Sequence, residues 1–503
     1  MSTTQKTERS SLRKGRLGVA GIVFFVVAAS APMAGMTGVV PVAGVLGNGA
    51  AVPGAYVFVG LILLLFSVGF TAMSHQVTNA GAFFAYVGKG LGINVGVGSA
   101  FVSILAYITV QLAIYGFFGA MMELTFGALG VSIPWYIWCA LGWIGVTVLS
   151  LLSVDIGAKI LGVLTGLEVL SMLVVAAAIL FSTNLPEGLN FEASFSPANV
   201  FAGGFAGTAG IAITFAFASF IGFESTAIYG EESVNPKKTV RRATYWAIGI
   251  IAGLFTIVTF AMMSGMGSSA VVDQILARST VDGSPLANPA AVLFSLATEF
   301  VGPWMAQLMS WLVLTSLFAG LLAFQNATSR YFFAMGRGGV LPARLAKTNR
   351  RGAPWMGVTL TSVIAIVVIA IFAIFKLDPV LNLFYWLSSV SVLAIVLVEI
   401  LVSVAVIVYF IKNEGANVWQ GKIAPALAVL GMALAVYLLI ARFNLLAGTS
   451  ADGVDPSLPD SEFQMNPLGW VLVLLPFVIF LVGLIVGVVN KKENASLTED
   501  ILS

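Results

Sequence analysis

Ser30-Ala31-Pro32-Met33-Ala34-Gly35 lies in the middle of the first long apolar segment of the chain, where a membrane helix should be continuous. Ser219-Phe220-Ile221-Gly222-Phe223-Glu224 has the same place in the sixth segment. Pro32 lacks an amide hydrogen and clashes with the preceding turn, and Gly222 relaxes the backbone, so we expect both helices to break here. Backbone groups freed in hydrocarbon are tolerated only where they line a cavity or meet a ligand. The pattern indicates a transporter.

The composition is that of an integral membrane protein. Of the 503 residues, 59% are apolar and only 9% are charged, which does not suit a soluble protein with a polar surface. Apolar stretches of at least about 20 residues, the length that spans a bilayer, recur along nearly the whole chain. They predict an all-α protein with twelve transmembrane helices, at about 17–46, 52–73, 94–125, 134–153, 156–182, 200–230, 243–266, 302–333, 355–376, 380–411, 422–442 and 467–489.

The distribution of Lys and Arg predicts the orientation, because these residues are retained on the cytoplasmic side of short loops. With both termini in the cytoplasm, all of the 24 Lys and Arg residues except Arg278, Lys376 and Arg442 fall on the inner side. We therefore expect a multi-pass protein of the plasma membrane, or of the cytoplasmic membrane if the source is bacterial. Residues 1–16 and 490–503 are the predicted cytoplasmic tails.

Several classes of protein are disfavoured. A net charge of +2 does not argue for nucleic acid, and anionic lipid headgroups explain the basic clusters beside the helices. One cysteine, Cys139, and one histidine, His75, form neither a disulfide nor a His/Cys metal cluster, and no cofactor or metal is expected. The sequence shows no pairing of a nucleophile with a general base that would indicate an enzyme. The apolar run after residue 16 is too long for a cleavable signal peptide.

Broken helices at the first and sixth positions predict two five-helix halves, 17–182 and 200–411, with 422–489 as two additional helices. The first helix begins inside and the sixth outside, so the halves are inverted and both breaks meet near the midplane. A helix that restarts near Gly35-Met36-Thr37 would offer free N–H groups to a carboxylate. Carbonyl groups near Ala29 and Ala218 would accept an ammonium group. An amino acid carries both groups.

At these residues the chain resembles the amino acid–polyamine–organocation (APC) transporters. The sixth-helix stretch, followed by Glu231-Glu232-Ser233-Val234-Asn235-Pro236-Lys237-Lys238, is similar to the family's sixth helix and its cytoplasmic exit. Asn326-Ala327-Thr328-Ser329-Arg330 and Gly336-Arg337-Gly338-Gly339-Val340-Leu341-Pro342 resemble the eighth helix and the following loop. A weaker match, Thr78-Asn79-Ala80-Gly81-Ala82-Phe83-Phe84-Ala85-Tyr86, resembles the entry into the third helix. The resemblance covers residues 17–411.

The resemblance implies a LeuT-type fold, alternating access, and transport of amino acids or amines by proton symport or exchange. Two departures concern the pocket. The first break has Ala31 and Pro32 where the family more often has a glycine-rich run, and Ala218 stands where some relatives carry a gating aromatic. An occluding ring would then come from Phe217, Phe220 or another helix. The candidate substrate-binding residues are Ser30, Ala31, Met33, Ala34, Gly35, Phe217, Ala218, Ser219, Phe220, Gly222, Tyr107, Gln111 and Phe324, with Tyr385 and Ser388 as further pocket candidates.

Four carboxylates, Glu123, Glu168, Glu224 and Glu399, lie within the predicted spans. A carboxylate at a helix centre costs about 2.5–3.5 kcal/mol on the insertion scale, so it is retained for packing or for function. Glu224 closes the second of the two breaks, in the sixth helix. Glu168 aligns with a position where proton-coupled relatives can have a lysine. We expect these two to couple transport to protons or, since hard cations prefer oxygen ligands, to sodium. A neutral, hydrogen-bonded packing role is the alternative for Glu168.

The sequence therefore predicts a secondary active transporter of amino acids. A transporter of amines or polyamines with the same fold remains open, because Glu224 could face a cationic substrate. The alternative from another class is an ion channel, which would show a continuous pore with rings of charge or carbonyls.

Overall fold

The computed structural model describes residues 17–76, 83–152, 154–228, 233–281 and 283–489. The tails at 1–16 and 490–503, the motif residues Thr78–Ala82, and Glu231 and Glu232 lie outside the described residues. The longer α-helices, numbered in chain order, are α1 Val19–Ser30, α2 Val52–Ser74, α3 Phe83–Leu91, α4 Ile93–Gly127, α5 Trp135–Leu152, α6 Val154–Leu180, α7 Ala209–Phe220, α8 Pro236–Met266, α9 Val271–Ser279, α10 Ala290–Phe300, α11 Pro303–Arg337, α12 Trp355–Ile374, α13 Tyr385–Lys412, α14 Ala424–Ala441 and α15 Pro467–Val489.

Shorter helical segments connect these helices. They are α-helical at Pro32–Ala34, Val40–Val42, Phe191–Phe195, Pro197–Val200, Ser225–Ile228 and Phe443–Ala447, wider π-type turns at Gly35–Val39, Ala43–Asn48, Pro379–Phe384 and Trp419–Ile423, and 3₁₀ turns at Gly49–Ala51, Gly204–Ala206, Ala343–Ala346 and Pro459–Ser461. Between 17 and 489, the described residues include only isolated β-bridges and no strand. The prediction of an all-α membrane protein is confirmed.

Eleven helical stretches in the described part of the chain are long and apolar enough to cross a membrane. The first of them, Val19–Ser74, has 56 residues, far more than one crossing needs, and contains both α1 and α2. The predicted number of twelve spans stays a prediction. The long third and eighth spans, α4 and α11, each have 35 residues, which suits strongly tilted helices at the centre of a bundle.

Packing brings together helices at corresponding positions in the two predicted halves. Helix α2 packs along α8, and α4 packs along α11, so the second predicted span lies beside the seventh and the third beside the eighth. Helix α4 also contacts α13 and α15. This pairing is what two intertwined five-helix repeats would give, although the domain boundaries themselves stay a prediction.

Candidate functional site

The first span is broken at Ala31. Helix α1 ends after 12 residues at Ser30, and Ala31 has a left-handed backbone with φ 41° and ψ 65°, which an L-residue rarely adopts. The helical path restarts at once with Pro32, whose missing amide hydrogen costs nothing at the start of a helix. The sequence predicted this restart near Gly35, and the structure has it three residues earlier.

The sixth span is broken at Ile221 and Gly222. Helix α7 also has 12 residues and ends at Phe220. Ile221 is extended in ψ, and Gly222 has φ 109°, a conformation that favours glycine. A short helical segment follows at Ser225–Ile228. Both predicted breaks are therefore present, each after a half-helix of the same length.

The two breaks touch each other. A Cβ atom built on Gly222 would lie 3.0 Å from the Cβ of Ala29 in the last turn of α1. A Cβ atom on Gly35 would lie 3.5 Å from the hydroxyl oxygen of Ser219 in the last turn of α7. The glycines let the two unwound stretches approach this closely, because any side chain there would fill the contact.

A small cavity lies where the breaks meet. Its volume is about 50 Å³, which is room for a few water molecules. The residues that line it are Ala29, Ser30, Ala31, Ala34, Gly35, Val39, Val110, Ile114, Ala218, Ser219, Ile221, Leu317, Phe324, Phe384 and Ser388. Seven of the substrate-binding candidates are in this set, namely Ser30, Ala31, Ala34, Gly35, Ala218, Ser219 and Phe324.

The wall of the cavity has two kinds of surface. Backbone and hydroxyl groups of the breaks, including Ser30 and Ser219, provide the polar part, and Ser388 adds a hydroxyl from α13. Aliphatic and aromatic side chains from α4, α11 and the segment before α13 provide the rest. None of the described residues that line the cavity carries a charge. Such a site suits a ligand with a compact polar end and an apolar remainder.

Other candidates lie behind the cavity wall. Phe217 and Phe220 are buried in α7, and Gly222 packs on Ala29. The amide of Gln111 donates to Gln325 Oε1 at 2.7 Å, and Gln325 in turn donates to Ser362 Oγ at 2.9 Å. Gln111 thus forms part of a buried link between α4, α11 and α12 and does not line the cavity.

Glu168 lies beside the first break. Its Oε1 atom accepts the backbone N–H of Met33 at 2.6 Å and the hydroxyl of Ser316 on α11 at 2.7 Å. The side chain is 1% exposed. One carboxylate therefore joins α6, the restarting half of the first span and α11. It also takes up a backbone amide at the half-helix end where the sequence predicted a substrate carboxylate.

Glu224 closes the second break. Its Oε2 atom accepts the N–H of Gly222 at 2.9 Å, and its Oε1 atom accepts the hydroxyl hydrogen of Tyr107 on α4 at 2.7 Å. The ring of Tyr107 lies 5.8 Å from that of Phe324, a cavity residue, measured between centroids. Tyr107 thus connects the sixth-span carboxylate to the back of the cavity.

Val110, Ile114 and Leu317 line the cavity but were not among the sequence candidates. Membrane helices are apolar on every face, so a pocket-lining valine or leucine does not differ in sequence from one that faces lipid. The weak signal was spacing, because Val110 and Ile114 lie three and seven positions after Tyr107 and thus on a neighbouring part of one helix face.

Comparison with known proteins gives a consistent picture. The sequence model of the family described as "Amino acid permease" matches residues 21–498. The chain is 26% identical to the branched-chain amino acid permease BcaP of Lactococcus lactis subsp. cremoris over 330 residues, which cover 63% of this chain and 68% of that protein. It is 28% identical to the L-lysine transport protein of Corynebacterium glutamicum over 153 residues, which cover 30% of this chain and 28% of that protein.

Proposed function

The chain belongs to the amino acid permease family, and we propose that it carries amino acids across the plasma membrane by alternating access, coupled to protons through symport or exchange. It is a transporter and not an enzyme. The observation that carries the proposal is the contact between the two broken helices around one cavity. In a bacterium the membrane would be the cytoplasmic membrane, and both tails would be cytoplasmic.

The substrate's amino and carboxyl groups would bind at the breaks. Half-helix ends carry partial charges of both signs, and Ser30 and Ser219 add hydroxyl groups next to them. A zwitterion can satisfy these groups in a space that excludes bulk water, which makes each hydrogen bond stronger. The small free volume suits a conformation in which the site is closed around little or no substrate.

An apolar amino acid fits this cavity better than a basic one. Relatives of the chain are named for branched-chain amino acids and for L-lysine. The lining offers Val110, Leu317 and Phe324 to the substrate side chain but no carboxylate to a lysine ammonium group. Burying an unpaired charge is costly, so lysine should bind poorly. The same argument gives less support to an amine or polyamine transporter.

Coupling would arise from competition at the first break. Ionised Glu168 and a substrate carboxylate are both negative, and both would sit at the N–H-rich end of the restarting helix. Protonation of Glu168 removes its charge and weakens its hold on the Met33 amide, which leaves that end available to the substrate. Proton and substrate would then bind together. A sodium ion held by Glu168 and Ser316 is the alternative coupling ion.

Glu224 would act at the second break. Its carboxylate holds the Gly222 turn and Tyr107 together, so a change of charge there would loosen the contact between the sixth span and α4. We propose that Glu224 binds a proton during the cycle and that Glu168 provides the site next to the substrate.

Uptake into proteoliposomes tests the proposal. Purified protein is reconstituted, and labelled leucine, isoleucine, valine, lysine and putrescine are supplied with a pH gradient, with a sodium gradient or with neither. We expect leucine, isoleucine and valine to accumulate with an inward proton gradient and accumulation to disappear with a protonophore. Accumulation driven only by a sodium gradient would identify sodium, and not the proton, as the coupling ion. Ion currents without any substrate would instead favour a channel.

A further inference from the structure

Glu399 is a buried carboxyl group for which the coupling scheme above has no use. It lies in the middle of α13 and its side chain is only 2% exposed. Its Oε2 atom is buried without a hydrogen-bond partner, and within the described residues the group forms no hydrogen bond or ion pair. One turn later, Ser403 Oγ is also buried without a partner. Buried polar groups are normally hydrogen-bonded, so this one requires an explanation.

Two polar groups of the second break interact electrostatically with Glu399. They are the Glu224 carboxyl and the Tyr107 hydroxyl, which hydrogen-bond to each other at 2.7 Å. Helix α13, which carries Glu399, packs against α4, which carries Tyr107. Glu399 and Glu224 are therefore two carboxyl groups in one buried region, outside the set of residues that line the cavity.

The surroundings of the two carboxyls differ in a way that assigns their charges. Glu224 accepts two hydrogen bonds, from an O–H and an N–H group, and hydrogen bonds to a carboxylate favour its ionised form. Glu399 accepts none, and a carboxylate without donors is strongly disfavoured in a low-dielectric interior. Two negative charges at this depth would also repel each other. Pairs of acids whose environments differ in this way take opposite protonation states.

We propose that Glu399 is a second proton-binding site of the transporter and that it holds a proton while Glu224 is ionised. When the sixth span moves and Glu224 loses its donors, the proton leaves the Glu399 hydroxyl and bonds to a Glu224 carboxylate oxygen. The pair keeps one negative charge throughout, and no other reactant is needed. This inference rests on the proposed proton coupling and adds a reserve position for the proton on the tenth predicted span.

Infrared spectroscopy of the purified protein tests the protonation state without any transport. A protonated carboxyl group has a C=O stretching band that an ionised one lacks. We expect this band at neutral pH in the wild type, a weaker band in Glu399→Gln and its persistence in Glu224→Gln. Glu123→Gln is the matched control, because Glu123 is an exposed carboxylate near the outer end of α4 and its replacement should leave the band unchanged.

The spectra decide the first part of the inference. A band of wild-type intensity in Glu399→Gln, or one that disappears only in Glu224→Gln, would overturn the assignment of the proton. If Glu399→Gln does not yield a monodisperse protein, Glu399→Asp keeps an acid at the same place and should shift the band. An unshifted band in Glu399→Asp would overturn the assignment equally.

Uptake decides the second part. In proteoliposomes we expect Glu399→Gln to lose leucine accumulation against a gradient but to keep exchange of external for internal leucine, since exchange needs no net proton movement. Accumulation equal to that of the wild type would show that the Glu399 proton takes no part in coupling. If the wild type itself shows no proton-driven uptake, the proposed function fails, while the infrared result still reports on Glu399.

Discussion

The Glu168 carboxylate accepts the backbone amide of Met33 at 2.6 Å, across 135 residues of sequence. This hydrogen bond places a carboxyl group of the fifth predicted span at the point where the first span restarts. Ser316 donates to the same oxygen atom, so the restart, α6 and α11 are joined at one point. Three helices are therefore joined through one carboxyl group, and its charge sets the strength of these hydrogen bonds.

The first prediction concerns that charge. Glu168→Gln keeps an oxygen that can accept the Met33 amide but cannot exchange a proton. A gradient of about one pH unit stores about 1.4 kcal/mol per proton and can sustain about tenfold accumulation with one proton per substrate. In Glu168→Gln we expect this accumulation of leucine in proteoliposomes to disappear, so that the leucine concentrations inside and outside become equal. Exchange of leucine should persist.

Ser316→Ala is the informative companion of that variant. It removes a hydrogen-bond donor to Glu168 but leaves the ionisable group. We expect it to retain proton-driven accumulation with a changed pH dependence, because an ionised carboxylate with fewer donors is less stable. If Glu168→Gln shows the same accumulation and pH dependence as the wild type, Glu168 has a packing role, which is the alternative that the sequence left open.

A second prediction separates the charge of Glu224 from its hydrogen bond. Glu224→Gln should abolish accumulation or uncouple it from the pH gradient. Tyr107→Phe keeps the carboxyl group and removes one donor, a hydrogen bond to a charged group worth about 1.5–3 kcal/mol. We expect Tyr107→Phe to slow uptake but to keep its response to pH. The measurement is initial uptake rate as a function of external pH, and an unchanged profile in Glu224→Gln contradicts the proposed role.

The breaks could be predicted from the sequence because their causes are local. Pro32 cannot donate a backbone hydrogen bond, and Gly222 can adopt a φ of 109° without a side-chain clash. The position of Glu224 shortly after Gly222 likewise made its closing role foreseeable. Each of these inferences needed only a few neighbouring residues.

The inner partners of the site were not accessible in this way. Tyr107 meets Glu224 across 117 positions and Gln111 meets Gln325 across 214, so which polar group faces the cavity depends on helix rotations that apolar membrane sequences do not encode. The same reason hides Val110 and Leu317, which line the cavity without any chemical mark. The sequence identified the elements of the site, and packing decided which of their side chains line it.

A third prediction tests the contact between the two breaks. Gly222→Ala places a Cβ atom on a backbone with φ 109° and only 3.0 Å from the Cβ of Ala29. Backbone strain of this kind costs about 1–3 kcal/mol, so thermal unfolding of the purified protein should begin at a lower temperature. Gly249→Ala on α8 is the matched control, because its Cβ would meet nothing within 4 Å and its φ is ordinary. Equal unfolding temperatures for the two variants would contradict the close approach of the breaks.

The last prediction changes the substrate. Ser388 lies on the cavity wall, on a helix that contributes no charge to the lining. Ser388→Asp would give a lysine ammonium group a carboxylate partner and would place an unpaired charge beside a leucine side chain. We expect the ratio of lysine to leucine uptake to rise by about tenfold or more, corresponding to about 1.4 kcal/mol in relative binding. Ser388→Asn introduces a side chain of nearly the same shape as aspartate but without its charge, so it should leave the uptake ratio close to that of the wild type. An equal rise in both variants would mean that size and not charge excludes lysine.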